Sequence, residues 1–392
     1  MRILFLTGRF PWPLLRGDQT RAYHQLRLLA RRHRTTLVSF SDGPVPEEGL
    51  AAVSACCERV VTVPLGRAGM GLGLARGVFS PLPFQVSLYA HPRMRRALGD
   101  VVAGQAFDLA HAQLARMAPH VEDLPVPRFV DLVDALSLST HRRSLRHRGP
   151  LRWLTALEAT RLLRYERRLC ASLEGASVAC AVDRDAIGEP TRLGVVPNGV
   201  DLGRLPFETA GRDPATIVLT GNMGYYSNVS AACWFARSVF PLVRRSVPEA
   251  RFHVVGARPA ARVRRLARAD PSVSVVGFVD DLVPHLRAAT VAVAPMQAGA
   301  GQQLKVLEAM ASGAPVVATP VAAAPLEAGP DDGLLVAGTA EAFAEAVVAL
   351  IRAPSRAARL AAQARRFVES RYTWERSTEQ LEELHEAART RR

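Results

Sequence analysis

Lysine is almost absent from this sequence: the chain has 50 lysine and arginine residues, of which Lys305 alone is a lysine. The five cysteines show no C-x-x-C spacing and two of them are adjacent, which predicts reduced thiols in a cytosolic protein. Because no signal peptide precedes the first apolar stretch and no apolar run approaches about 18 residues, we expect no membrane-spanning segment. No internal repeat of roughly 20–50 residues is present, which excludes a solenoid.

The length of 392 residues predicts two domains, each able to bury its own core. The formal charge of +14 predicts anionic partners, such as a nucleotide, a phosphate-rich substrate, nucleic acid or acidic lipid. We expect no nucleic-acid partner, because neither an RNA-binding motif nor a zinc-finger spacing occurs. The apolar strand predicted at Arg2–Thr7 is followed by a loop without G-x-G-x-x-G spacing, which argues against a dinucleotide fingerprint.

One stretch predicts a ligand site more clearly than any other. An apolar strand ends at Pro295, two glycines follow at Gly299 and Gly301, a helix is predicted over about 302–312, and PVVAT predicts the next strand. The helix would therefore begin at the carboxyl edge of a parallel sheet, where anions bind to N–H groups and the helix dipole. Lys305 lies in its first turn and Glu308 three residues later. We interpret Lys305 as a phosphate contact, with a chance surface lysine as the alternative.

A basic region over 141–168 allows two interpretations. It contains Trp153 and Tyr165 and an apolar stripe made of Leu151, Leu154, Leu157, Leu162 and Leu163. It could lie against an anionic membrane surface, at the inner face of the cell membrane. The alternative, which we weakly favour, is a solvated basic face in which Glu158 and Glu166 form pairs along the helix.

The stretch 299–319 resembles the donor-binding segment of the retaining glycosyltransferases of family 4 that use nucleotide sugars. Glu308 matches the second Glu of the family's Glu-x7-Glu motif, Ala300 stands at the first position, and the chain fits the branch with Gly-x-Gly and KVLEAMA. The PNGVD run over 197–201 is a further family feature. The resemblance implies an α/β protein of the GT-B class, with two Rossmann-like domains whose parallel sheets face across a cleft. Their predicted bounds are 1–205 for the acceptor domain and 206–372 for the nucleotide-sugar domain, and a final helix over 373–392 crosses back.

The resemblance also implies roles for individual residues. Lys305 and Glu308 would be catalytic, the first against the departing diphosphate and the second toward the ribose hydroxyls. Asn222 and Asn228 stand where the family often has an Arg and a Lys, and helix capping is the alternative for Asn228. The implied donor-binding residues are Gly221, Asn222, Asn228, Gly256, Arg258, Gly277, Phe278, Val279, Gly299, Gly301 and Leu307.

The acceptor side is implied in the first domain. Gln113 stands where some members have a histidine, and an amide cannot exchange a proton. Helix capping is the alternative for Asp18, a core position is the slightly favoured one for His111, and local turn capping is the alternative for Asp131 and Asp134. A Gly- and Pro-rich segment over 66–92 would also shape this side. The implied acceptor-binding residues are Gly17, Asp18, Arg21, His111, Gln113, Asp131 and Asp134.

The resemblance therefore implies a retaining, metal-independent glycosyltransferase without a cofactor. It would move a sugar from a nucleoside diphosphate sugar, most expectedly a UDP-sugar, to a hydroxyl of a polysaccharide, lipid-linked or small natural-product acceptor. No metal is expected, because no Asp-x-Asp motif stands in a convincing context. Two alternatives remain: a non-hydrolysing UDP-sugar epimerase, and a nucleotide-sugar-binding protein whose catalytic site has degenerated.

Overall fold

The computed structural model describes residues 1–65, 80–188 and 191–391, so part of the Gly- and Pro-rich segment, 66–79, lies outside the described residues. The chain divides into two compact units, residues 1–198 with 374–392 and residues 199–373. The first unit ends somewhat before the predicted boundary at 205. Among the described residues, no helix is both long enough and apolar enough to cross a membrane.

The first unit is built on a seven-stranded sheet in which every pairing is parallel. Its strands are β1 (Arg2–Thr7), β2 (Arg34–Ser41), β3 (Arg59–Pro64), β4 (Leu109–Gln113), β5 (Arg128–Val133), β6 (Gly175–Val178) and β7 (Leu193–Val195), in the order β3-β2-β1-β4-β5-β6-β7. Alternate residues of β1 enter two different cores, Leu4 and Leu6 on one face and Ile3 and Phe5 on the other. This two-sided burial is why β1 is a continuous apolar run.

Helices cover both faces of this sheet. They are Gly17–Leu29, Glu47–Ser54, Phe84–Ser87, Pro92–Gly104, Leu136–Ser144, Pro150–Ser172, Ala181–Ile187 and Trp374–Thr390, with a 3-10 turn at Ala115–His120. The last of them, Trp374–Thr390, contributes Leu381 and Ala388 to the core that also contains Phe5 and Phe129. The carboxyl-terminal helix is therefore part of the first unit's core.

The second unit has a six-stranded parallel sheet. Its strands are β8 (Thr216–Thr220), β9 (Arg251–Val255), β10 (Val273–Gly277), β11 (Val291–Ala294), β12 (Val316–Ala318) and β13 (Leu334–Val336), in the order β10-β9-β8-β11-β12-β13. Its helices are Tyr226–Trp234, continued by a π-helix at Phe235–Val239, then Phe240–Ser246, Ala261–Ala269, Val283–Ala288, Leu304–Ala311, Pro320–Ala323, Ala340–Arg352 and Pro354–Arg371, with 3-10 turns at Ala324–Leu326 and Pro330–Asp332. The predicted α/β class with two parallel sheets is confirmed.

Both sheets reverse their strand order between the first and fourth strands, that is between β1 and β4 and between β8 and β11. In open parallel sheets, ligands bind outside the carboxyl ends of the strands at such a switch point. The loop after β8 and the loop after β11 both lie at that place in the second unit. The strand order thus brings the residues around 221–228 to those around 299–305.

One prediction about the basic region over 141–168 is wrong. The region contains the end of one helix and most of a second, which Pro150 begins after Gly149 with a φ of 62°. Within that helix Glu158 and Glu166 do not form pairs along its surface: Glu158 accepts hydrogen bonds from the backbone N–H groups of Phe84 and Gln85, and Glu166 accepts from Ser137.

The Gly-, Pro- and charge-rich composition over 205–214 predicts a linker, but hydrogen bonds tie this segment to the second unit. Arg212 donates hydrogen bonds to the backbone oxygens of Leu286 at 3.1 Å and Ala289 at 2.6 Å. It also donates to the backbone oxygen of Gly313, which follows the helix Leu304–Ala311 by two residues. A linker would not place its arginine among buried carbonyls, so this segment belongs to the second unit.

Candidate functional site

Lys305 lies at the switch point of the second sheet, as the sequence predicts. It is the second residue of the helix Leu304–Ala311, its Nζ donates a hydrogen bond to Oδ1 of Asn228, and it lies 3.7 Å from Sδ of Met296. Burial lowers the pKa of the Lys305 ammonium to about 8, against the attraction of Glu308, which raises it. A cation held beside neutral partners in a half-buried place is available to bind an anion.

Asn228 faces Lys305 and does not cap its helix, so the capping alternative is wrong. The helix Tyr226–Trp234 begins after Tyr225, and Asn228 is its third residue. Its Nδ2 donates a hydrogen bond to the backbone oxygen of Asn222 at 2.9 Å, while its Oδ1 accepts from Lys305. The side-chain oxygen of Asn222 in turn accepts from the N–H of Gly224 at 3.0 Å. The two asparagines thus shape the loop after β8 around the ammonium.

Gly221 leaves the space that this arrangement needs. A Cβ atom on Gly221 would lie 3.1 Å from the Lys305 Nζ and 3.0 Å from the Asn228 Nδ2, and its φ is 139°. Gly256, after β9, has a φ of 149°, and a Cβ atom there would collide with the backbone oxygen of Gly221. The N–H of Gly256 donates to the oxygen of Gly277 at 2.7 Å. Three predicted donor-binding glycines therefore lie together at the ends of β8, β9 and β10.

Arg258 lies beside the loop after β8. Its φ of 55° is unusual for a residue with a side chain, and a Cβ atom on Gly224 would be 3.5 Å from the Cβ of Arg258. Its side chain is exposed. Arg258 thus supplies a second positive charge near the asparagine pair, at a position where the strained backbone holds it.

Glu308 lies one turn after Lys305 and is half-buried. Burial raises the pKa of its carboxyl, while the charges of Lys305 and Arg204 lower it. Sequence reasoning missed Arg204, because it is far from Glu308 along the chain and no motif contains it. Arg204 and Lys305 together favour the ionised carboxylate, which accepts hydrogen bonds from hydroxyl groups.

The remaining predicted donor-binding residues differ in accessibility. Phe278 is 53% exposed and follows Gly277, while Val279 is half-buried against the core. Gly299 and Gly301 have φ values of 144° and 72°, which are conformations that favour glycine. Leu307 is fully buried in the core, and its contact with the donor stays a prediction.

In the first unit, the switch point between β1 and β4 brings two predicted acceptor residues together. Nε2 of Gln113 donates a hydrogen bond to the backbone oxygen of Asp18 at 3.1 Å. The helix begins at Gly17, so Asp18 lies in its first turn and is not its cap; its carboxylate pairs with Arg9 at 2.6 Å. Gly17 is exposed and Asp18 half-buried. These residues stay predictions for acceptor binding.

Three other predicted acceptor residues lie inside the first unit. Arg21 and Asp131 are fully buried and form an ion pair of 2.6 Å, and Arg21 also donates to Oδ1 of Asn198 at 3.0 Å. His111 is fully buried, with its ring stacked on Phe5 at a centroid distance of 4.1 Å. Because these side chains are enclosed, the core alternative is favoured for His111, and acceptor binding by all three stays a prediction.

Asp134 is half-buried just past the end of β5. The preceding residue, Val133, has a φ of 64°, and the N–H of Asp134 donates to the oxygen of Leu132 at 2.8 Å, which closes a tight turn. A β-branched residue in this conformation is strained. Burial and the charge of Asp183 raise the pKa of Asp134 well above its usual value. The turn lies where local turn capping is the sequence-based alternative for Asp131 and Asp134, and the N–H of Val133 donates to Oδ1 of Asp131 at 3.2 Å.

Comparison with known proteins agrees with this geometry. Residues 214–353 match the family model of the group 1 glycosyl transferases. The D-inositol 3-phosphate glycosyltransferase of Rhodococcus erythropolis is 33% identical over 222 residues, which are 51% of this chain and 49% of that protein. The chain therefore spans about half the length of the curated relative that it matches.

Two solved structures share the fold. Sucrose-phosphate synthase of Thermosynechococcus elongatus is 17% identical with a TM-score of 0.72, over 98% of each chain. HepE of Anabaena, in complex with UDP and glucose, is 14% identical with a TM-score of 0.68, also over 98% of each chain. The chain thus has two parallel-sheet α/β units like its GT-B glycosyltransferase neighbours, and residues 214–353 of the second unit match the group 1 glycosyl transferases.

Proposed function

We propose that this protein is a glycosyltransferase that moves a sugar from a nucleoside diphosphate sugar to an acceptor hydroxyl, with a UDP-sugar as the favoured donor. The observation that carries the proposal is the placement of Lys305 against Asn228 and Gly221 at the switch point of the second sheet. A match to group 1 glycosyl transferases over the same unit supports it. So does the UDP and glucose bound by HepE, which has the same fold.

Within the proposed site, each charged group has one task. The Lys305 ammonium and the first turn of the helix Leu304–Ala311 neutralise the diphosphate as it departs, which is electrostatic stabilisation of charge that develops in the transition state. The Glu308 carboxylate accepts hydrogen bonds from the ribose hydroxyls. Gly277, Phe278 and Val279 border the nucleobase. Because Asn222 and Asn228 bring no charge, Lys305 and Arg258 are the cations that the diphosphate meets.

The finer features of the reaction follow from the family resemblance. We infer retention at the anomeric carbon and a leaving group that needs no metal, since a lysine supplies the charge that a divalent ion would otherwise provide. The acceptor is a hydroxyl compound: a polysaccharide, a lipid-linked sugar or a small natural product. The name of the Rhodococcus relative adds a phosphorylated inositol to the acceptors worth testing.

The first test is ligand-dependent thermal stability. The full chain is heated with UDP, GDP, dTDP, ADP or NAD in excess, and a ligand at about 100 times its Kd stabilises by roughly 2.7 kcal/mol. A selective rise in Tm with one nucleoside diphosphate supports the proposal and names the donor class. A rise with NAD alone, or with none of the five, contradicts it.

The second test separates catalysis from binding. Lys305→Ala should lower turnover with the matching nucleotide sugar by roughly a hundredfold, by analogy with deletion of an oxyanion-stabilising group, while nucleoside binding falls less. Arg359→Gln, on an exposed part of the helix Pro354–Arg371, is the matched control and should keep full activity. Equal turnover in the two variants would remove Lys305 from the mechanism.

The degenerate binding protein is the competing function, because Ala300, Asn222 and Asn228 depart from the family pattern. It predicts a rise in Tm with a nucleoside diphosphate but no release of that nucleotide from any nucleotide sugar. The epimerase predicts a new nucleotide sugar formed without an acceptor. Product analysis with and without an acceptor mixture therefore distinguishes all three functions.

A further inference from the structure

Five large apolar side chains within residues 145–157 of the first unit are exposed, and together they are here called the leucine–tryptophan surface: Leu145, Leu151, Trp153, Leu154 and Leu157. Their exposed fractions are 60%, 51%, 76%, 54% and 55%. Among the large apolar residues of the described ranges, only Phe278 is also more than half exposed. Single exposed apolar residues are ordinary, but five within one short stretch indicate an interaction surface.

The helix Pro150–Ser172 packs on the first unit with Trp153, Leu154 and Leu157 facing solvent. At about 100° per residue, Trp153, Leu154 and Leu157 lie on one side of the helix. Another side carries Glu158 and Leu162, which are buried. Because Glu158 accepts two hydrogen bonds from backbone N–H groups at 3.0 and 3.1 Å, the helix cannot turn its apolar side inward without breaking them. The leucines of the predicted apolar stripe therefore differ in exposure, since Leu162 is buried and Leu154 and Leu157 are exposed.

The charge around the leucine–tryptophan surface has one sign. Five arginines occur over 142–152, and no aspartate or glutamate occurs over 135–157. Arg143, Arg148 and Arg152 are exposed. A second copy of the chain would bring the same positive charges face to face, which opposes self-association. The complementary partner is therefore anionic and also accepts apolar side chains.

We propose that the leucine–tryptophan surface docks onto an anionic lipid surface. Trp153 and the leucines would enter the boundary between head groups and acyl chains, where tryptophan is favoured, while the arginines would lie at the level of the lipid phosphates. An amphipathic helix with apolar residues and arginines side by side has this binding mode. The proposal is independent of the glycosyltransferase function, since it concerns a different surface and a different ligand.

The test measures binding of the full chain to vesicles of phosphatidylcholine alone and of phosphatidylcholine with about one quarter phosphatidylglycerol. We expect co-sedimentation with the anionic vesicles only, weakened by salt. Replacing Trp153→Ser and Leu157→Ser together should lower the partition coefficient roughly tenfold or more, because two apolar side chains no longer enter the lipid. Replacing Arg143→Gln, Arg148→Gln and Arg152→Gln together should lower it by a similar factor.

The control variants remove exposed apolar side chains and exposed arginine charges elsewhere on the chain. Leu50→Ser with Phe207→Ser removes two side chains that are 42% and 41% exposed, and Arg356→Gln with Arg359→Gln removes two exposed charges. Both control variants should bind vesicles like the unaltered chain, and all variants should keep its Tm. Three results would overturn the proposal: no binding to anionic vesicles, equal loss of binding in the controls, or a dimer in solution that Trp153→Ser disrupts, which would assign the surface to a second copy.

Discussion

At the scale of single residues, Lys305 has the property that a phosphate-binding cation needs. Its ammonium is half-buried against an amide oxygen and a thioether, and its pKa of about 8 leaves it mostly protonated at neutral pH. Holding an unpaired cation in such a place is unfavourable for the free protein. A bound diphosphate pairs with the ammonium and removes this unfavourable free energy, which makes binding of the diphosphate more favourable.

This pKa leads to a prediction about pH. The anionic diphosphate favours protonated Lys305, so the Kd for UDP should rise by up to roughly tenfold per pH unit once the pH exceeds about 8. In Lys305→Arg the guanidinium stays charged, and the rise should disappear over the same range. Titration calorimetry between about pH 7 and about pH 9.5 measures both. Identical pH profiles would show that another group titrates.

How far residues could be predicted depended on whether local sequence determines their surroundings. Lys305 was singled out because a glycine loop, a helix start and a strand occur together within twenty or so residues, whereas Glu308 was singled out by the family motif. Arg21, Asp131 and Leu307 were assigned to ligands, yet they are buried. Their burial results from packing of distant elements, such as Asn198 against Arg21, which no local pattern contains.

At the scale of elements, the carboxyl-terminal helix is fitted to the sheet of the first unit through glycine. Gly194 in β7 lies directly beneath Leu384, and a Cβ atom there would collide with both leucine methyl groups. A Cβ atom on Gly175 in β6 would lie 2.8 Å from the ring of Phe129 and 3.1 Å from the Cβ of Ala388. The absence of a side chain at these two glycines lets the helix Trp374–Thr390 approach closely.

Gly194→Val should therefore lower the free energy of unfolding by roughly 1–3 kcal/mol through overpacking. Adding Leu384→Ala should recover part of that loss, so the double variant is more stable than the sum of the single ones predicts. Urea unfolding measures all four chains. The control is Gly104→Val, where a Cβ atom meets nothing within 4 Å, and an equal loss there would refute the packing argument.

A second element-scale prediction concerns acid. His111 on β4 and His385 on the last helix lie 2.9 Å apart, between Nδ1 and Nε2, and burial lowers the pKa of both below 6.5. Below pH 6.5 these two histidines bind protons in the unfolded chain but stay neutral in the folded chain. The free energy of unfolding therefore decreases as the pH falls below 6.5, by up to about 1.4 kcal/mol per pH unit for each histidine.

His385→Gln keeps a hydrogen-bonding group beside His111 but cannot titrate, so the fall in stability below pH 6.5 should become shallower. His120, also buried with its pKa lowered to about 4, should maintain part of the slope. Urea unfolding at several pH values checks this, and equal slopes in the unaltered chain and in His385→Gln would contradict it.

The helix Pro150–Ser172 shows why periodicity was an incomplete guide at this scale. Its leucine spacing predicts an apolar face but does not state whether another element covers it. Leu162 is fully buried while Leu154 is 54% exposed, although both belong to the same predicted stripe. The difference arises because Glu158 fixes the rotation of the helix through its hydrogen bonds to Phe84 and Gln85.

At the scale of the whole molecule, chain length predicted two domains, and the family resemblance implied two α/β units with parallel sheets. The strands Arg2–Thr7 and Thr216–Thr220 are short apolar runs because parallel strands are buried on both faces. The boundary between units was less predictable. Arg212 lies in a segment whose composition is that of a linker, but its hydrogen bonds tie it to the second unit.

The proposed metal-independent reaction gives a prediction for the complete enzyme. Treatment with EDTA should leave turnover within roughly twofold of its starting value. Lys305 and the helix dipole supply the positive charge that a bound divalent ion supplies in other reactions with a phosphate leaving group. Assays with added Mg²⁺ or Mn²⁺ provide the comparison. Loss of activity on chelation, restored by one of these ions, would show that a metal takes part.

The replacement of lysine by arginine throughout the chain makes the proposed site chemically unique. Lys305 carries the only side-chain amine among 392 residues, and its pKa of about 8 leaves a reactive fraction of free amine under mild conditions. An acylating or reductively alkylating reagent therefore has two targets, this amine and the amino terminus. Labelling at Lys305 with and without UDP would report occupancy directly. A lysine-specific protease has one place to cut this chain, and loss of that cut would show that Lys305 carries the label.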